Sequence, residues 1–180
     1  MREQLTASCH CSRMTDEYPA AADDRQRVAR VRDLIVAIFA TNGNLIETGN
    51  RLTYPLGISS ALWQVMGALG FAGEALSVPA IAKRMGLTRQ SVQRNVDLLV
   101  ERGLVSFEAN PRHRRSALAN LTVAGRAALD RVDTCHQPLS TRIADAIGDE
   151  RIADVMRVLS EMNAILETEA ADAANPGVMK

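Results

Sequence analysis

Apolar residues recur along this chain mainly at spacings of three and four, the period of helices that bury one face. From Asp23, the positions Val28, Val31, Ile35, Ile38, Asn42 and Leu45 form one such stripe and predict a long helix to about Thr48. Gly43 weakens its last turns by about 1 kcal/mol relative to alanine. The segments TGN and LTYPLG, ending at Gly57, predict a connector. A second helix is predicted from Ser59, its N-cap, to Gly70, with Leu62, Val65, Met66 and Leu69 buried and Trp63 beside them. FAGEALSV suits a loop and a brief strand. Pro79 then stands in the first turn of a short helix that Gly86 ends.

Thr88 caps the next predicted helix, buried through Val92, Val96, Leu99 and Val100 and ended by Gly103. LVSFEA alternates apolar and polar residues as a half-buried strand does, and ALANL returns after the turn NPRHRRS, so a β-hairpin is predicted. Thr122 caps a long helix with Leu129, Val132, Cys135, Leu139 and Ile143 on its apolar stripe. Pro138 is expected to kink or break it. A last helix from Asp149 is expected to bury Ile152, Val155, Met156, Leu159, Met162 and Leu166. Residues 1–22 and 171–180 lack periodicity and read as a disordered tail and a frayed end.

Composition supports helix packing over a β-sandwich. The 180 residues include only six aromatics, while 47% are apolar and 23% charged. No apolar run approaches the ~20 residues that span a bilayer. The first residues lack the apolar core of a secretory signal, and three cysteines cannot pair evenly. A reducing cytoplasm is the expected location. The net charge is zero, yet residues 83–115 hold eight basic side chains (Lys83, Arg84, Arg89, Arg94, Arg102, Arg112, Arg114, Arg115) against three acidic ones. A basic segment in a neutral chain is either the footprint of a polyanion reader or a solvated face.

Position favours the reader. IAKRMGLTRQSV is helix, glycine turn, helix, with Ala82, Gly86 and Val92 at the packing positions of a helix-turn-helix. The second of these helices directs Arg89, Gln90, Gln93, Arg94 and Asp97 away from its apolar anchors. Arginine can pair with guanine and glutamine with adenine. The hairpin loop carries Arg112, His113, Arg114 and Arg115, and arginines on a thin loop suit a narrow minor groove.

These residues also carry a resemblance. ISSALWQVMGAL, LSVPAIAKRMGLTRQSVQRNVDLLVERGLV and NPRHRRSALANLTVAG resemble the second helix, the helix-turn-helix and the wing of the MarR family of winged-helix transcriptional regulators. The wing of that family has Asp-Arg-Arg before a Leu-Thr-x-x-Gly helix start. Here His113 stands where the aspartate is usual, which puts the orientation of Arg115 in question. The resemblance implies a mainly α fold, an obligate homodimer, double-stranded operator DNA as partner and a small-molecule effector. The expected organisation is a dimerisation helix over 23–52, a winged helix-turn-helix domain over 53–121 and dimerisation helices over 122–170. Long apolar-striped helices outside the winged domain agree with dimerisation, since a lone protomer would expose them.

The expected function is therefore a dimeric, sequence-specific DNA-binding regulator, a repressor, that reads its operator with Thr88, Arg89, Gln90, Gln93 and Arg94 and with the basic wing. The alternative is a helical dimerisation or protein-interaction module without DNA binding, which the wing histidine favours. Other residues carry competing readings. Trp63 is a core residue or lines the effector pocket that the resemblance implies. Cys135, beside His136, is an inert buried thiol or a redox sensor. Cys9, His10 and Cys11 are adjacent and cannot readily converge on one zinc, so no metal or cofactor is expected. No HExxH, GxSxG or phosphate-binding glycine loop is present, so no enzyme is expected.

Overall fold

A computed structural model describes residues 18–111 and 116–174. The expectations for residues 1–17, 112–115 and 175–180 lie outside it. The chain divides into two compact units, one up to Thr48 and one from Gly49 onward. The described elements are six α-helices and a three-stranded sheet: α1 Tyr18–Thr53, α2 Ser60–Ala72, β1 Leu76–Ser77, α3 Val78–Met85, α4 Arg89–Glu101, β2 Val105–Glu108, β3 Leu118–Leu121, α5 Val123–Ile147 and α6 Asp149–Ala174. Among the described residues, no helix is long and apolar enough to cross a membrane.

Helix α1 corrects the expected boundaries at both ends. It begins five residues inside the segment read as a tail and runs to Thr53, through Gly43 and Gly49 and most of the expected connector. Its end is held by contacts that local pattern does not encode. The Thr53 side chain is fully buried, with its hydroxyl between the carbonyls of Gly49 and Ile58. The backbone N–H of Ser60 donates to Asn50 Oδ1 at 2.7 Å. A Cβ on Gly49 would stand 2.6 Å from Ser60 Oγ, so this junction requires glycine or a shift of Ser60. A 3-10 turn, Tyr54–Leu56, then leads to Gly57 at φ 64°.

The second unit packs α2, α3, α4, the sheet and the start of α5 around one core. Val65, Met66, Ile81, Val92, Val96, Leu99 and Val132 are all fully buried in it. The expected caps form: Ser59 Oγ accepts from Leu62 N, Thr88 Oγ1 from Ser91 N and Thr122 Oγ1 from Gly125 N. The sheet is antiparallel in the order β1-β3-β2, with Leu76 opposite Ala119, Val105 opposite Leu121 and Glu108 opposite Leu118.

Other expectations are corrected in whole or in part. In β2 only Val105 is buried, and Phe107, expected on the buried side of an alternating strand, is 42% exposed. Helix α5 continues through Pro138 instead of breaking. Thr134, whose carbonyl loses its i+4 donor there, is exposed along with Pro138, so that carbonyl can turn to water. The stripe of α5 closes on His136, with Cys135 and Leu139 half-buried and Ile143 exposed. In α6, Ile152, Leu159 and Met162 are half-buried, whereas Val155, Met156 and Leu166 stand exposed in the single chain.

Candidate nucleic-acid interface

The turn between α3 and α4 is built by local rules. Ser77 Oγ accepts from Ala80 N and caps α3, a role the sequence reading missed because Pro79 was the stronger helix-start signal. Gly86, at φ 63°, ends α3, and Leu87 N donates to Ala82 O at 2.9 Å. Ala82 is buried where α3 meets its neighbours, and Leu87 packs against the core. Thr88, a predicted contact residue, uses its hydroxyl to cap α4.

With Val92, Val96 and Leu99 fixed in the core, the opposite face of α4 must point outward, and Arg89, Gln90, Gln93, Arg94 and Asp97 are all exposed. Arg89, Gln90 and Gln93 line a cleft of about 510 Å³ together with Val78, Pro79 and Phe107. The Gln93 amide donates to Asp97 Oδ1 at 2.7 Å. Neither Arg89 nor Arg94 forms an ion pair among the described residues.

The basic segment is less uniformly available than its charge count implies. Arg102, at the C-cap of α4, donates from Nη1 to Gly57 O at 2.7 Å and so ties α4 to the turn before α2. Lys83 Nζ lies 3.3 Å from Glu167 Oε2 on α6. Arg84, Arg89 and Arg94 are exposed without such partners among the described residues. The predicted wing residues Arg112, His113, Arg114 and Arg115 lie outside those residues.

The remaining predicted residues meet elsewhere. Trp63, half-buried against the core, stacks on His136 with ring centroids 4.2 Å apart and planes 18° apart. His136 Nδ1–H donates to Val132 O at 2.9 Å, and Nε2 is buried without a partner among the described residues. The sequence reading treated His136 only as a neighbour of Cys135. One position along the helix decides which of the two meets Trp63. Cys135 is a free, half-buried thiol.

Comparison with known proteins places this arrangement. The MarR family model matches residues 56–116, from the turn before α2 to the end of the hairpin loop. An uncharacterized protein of Mycobacterium tuberculosis is 33% identical over 136 residues, which covers 76% of this chain and 94% of that protein. The chain belongs to the MarR family. The family's members are transcription regulators, and the winged helix-turn-helix with flanking long helices is their fold. Another relative, the transcriptional activatory protein BadR of Rhodopseudomonas palustris, is 27% identical over 150 residues, covering 82% of this chain and 83% of BadR. The structure of a mutant MarR from E. coli complexed with operator DNA superimposes with a TM-score of 0.63 at 22% identity, over 74% of this chain and 95% of that one. The MarR fold of this chain is thereby shared with a DNA-bound protein.

Proposed function

We propose that this MarR-family protein is a homodimeric, sequence-specific DNA-binding repressor of the cytoplasm. The observation that carries the reading is the outward face of α4. A capped helix, anchored by three buried residues, presents two glutamines and two arginines together, the arginines without an ion pair among the described residues. Such side chains read base edges in the major groove, with Arg115 of the wing entering the adjacent minor groove and Arg112 and Arg114 nearer the phosphates. The exposed apolar residues of α6, and those of α1 such as Val28, Val31 and Phe39, support a second protomer as their cover. Two recognition helices then meet half-sites about one helical turn apart. The stacked pair Trp63–His136 is the place proposed for a small-molecule effector to act.

Arg94→Ala is expected to weaken operator binding by about 1–3 kcal/mol and to relax preference at one base pair per half-site. Fluorescence titration against single-base operator variants reads both. Equal loss on every sequence would make Arg94 a phosphate contact instead. If the wild-type protein shows neither sequence preference nor a steep salt dependence, the reading fails and the helical interaction module takes its place. A promoter fusion reads the sign of regulation: expression should rise when the protein is deleted, and a fall would make it an activator, as the name of BadR describes that relative.

The wing histidine supplies a pH test. An imidazole titrates near pH 6.5 in reference peptides, and a phosphate nearby stabilises its protonated form. DNA binding should therefore take up a proton at His113 and tighten as pH falls from about 8 to 6. His113→Asp should flatten that dependence. Coincident pH profiles for the two proteins, at fixed salt, would make His113 a bystander.

A further inference from the structure

Asp97 is an odd residue on a face proposed to meet DNA, because a carboxylate there repels phosphate. Its geometry gives it a use. Asp97 Oδ1 accepts from Gln93 Nε2 at 2.7 Å, one helical turn away, and takes this amide rather than the guanidinium of Arg94 three residues back. A carboxylate can only accept, so the amide nitrogen, not its oxygen, must face Asp97. One N–H of Gln93 is thus spent inside the helix surface. The carboxamide oxygen and the second N–H remain for a partner in the cleft that Gln93 lines.

We propose that Asp97 is a positioning residue, which holds the Gln93 carboxamide in one orientation and thereby selects adenine at the base pair that Gln93 meets. This inference rests on the DNA reading above. A free glutamine can present donors or its acceptor with equal ease and discriminates poorly. A tethered one offers one acceptor and one donor side by side. Adenine supplies the complement in the major groove, an N6 donor and an N7 acceptor. Guanine supplies two acceptors, N7 and O6, and so opposes the fixed oxygen. Water leaves the interface on binding, and the charge-assisted tether strengthens there.

The test is selection of bound duplexes from a library randomised across the half-site, performed with the full-length protein and four variants. Asp97→Ala should lower adenine preference at a single position by about 2- to 10-fold, because an exposed pair of this kind gives about 2-fold and desolvation adds to it. The same variant should bind all sequences somewhat more tightly, since a negative charge is gone. Asp97→Asn keeps an oxygen acceptor, so adenine preference should return while the gain in general affinity stays. In a Gln93→Ala background, Asp97→Ala should leave the remaining preferences unchanged. An unchanged preference profile in Asp97→Ala, or no recovery in Asp97→Asn, overturns the inference while leaving DNA reading intact. A wild-type protein without preference at any position removes both.

Discussion

Gly125→Ala is expected to destabilise the winged unit by about 3 kcal/mol, a large effect for adding a single methyl group. Gly125 is the third residue of α5, where alanine would ordinarily gain up to about 1 kcal/mol over glycine. Space decides against it. Thr122 N donates to Leu104 O at 3.0 Å and Thr122 Oγ1 donates to Gly103 O at 2.7 Å, so the start of α5 is drawn onto the backbone before β2. A Cβ on Gly125 would overlap the Leu104 carbonyl oxygen and come 2.9 Å from its carbon. Backbone held by hydrogen bonds cannot yield as a side-chain tip can. Thermal unfolding should show a fall in Tm of roughly 6–12 °C for a chain of this size. Gly43→Ala is the control: among the described residues nothing stands within 4 Å of its Cβ position, so it should raise stability by about 0.5–1 kcal/mol. Equal Tm values for wild type and Gly125→Ala would refute the close approach.

Truncation after Ile147, which removes α6, is expected to leave insoluble or monomeric protein. A monomer meets one half-site only, so operator affinity should fall by about 10²–10⁴-fold through lost avidity. Met156→Glu is the gentler version. Met156 is 64% exposed in the single chain, so a glutamate there costs a lone protomer little. If a second protomer covers it, the same change buries a charge and splits the dimer. Light scattering coupled to gel filtration separates the cases. A stable dimer of the truncated chain would sink the proposed role of α6.

What the sequence makes legible here is what local chemistry decides. The caps at Ser59, Thr88 and Thr122 and the turn at Gly86 depend on residues within four positions, and each is readable without knowing the fold. The end of α1 is different. Its last turn is held by Asn50 and Thr53 bonding to Ser60 and Ile58, across a turn that pattern alone reads as the end of the helix. The choice of His136 over Cys135 turns on about 100° of helix rotation, which the periodicity of a few apolar residues does not resolve. Charge counting failed at Arg102 for a related reason: its partner is a backbone carbonyl 45 positions away in sequence. The outward face of α4 was legible because its buried face was. The Gln93–Asp97 pair, four residues apart on one helix, was within reach of the same reasoning.

The stack of Trp63 on His136 has a practical consequence, because Trp63 is the sole indole of the chain. Excited at wavelengths that the two tyrosines do not absorb, this protein emits from one site, and the imidazole ring stacked 4.2 Å away is placed to quench it on contact. Any event that parts α2 from α5 therefore brightens the whole signal, and any event that leaves them together leaves it dark. The chain carries its own reporter for the joint between its winged helix and the long helix that follows.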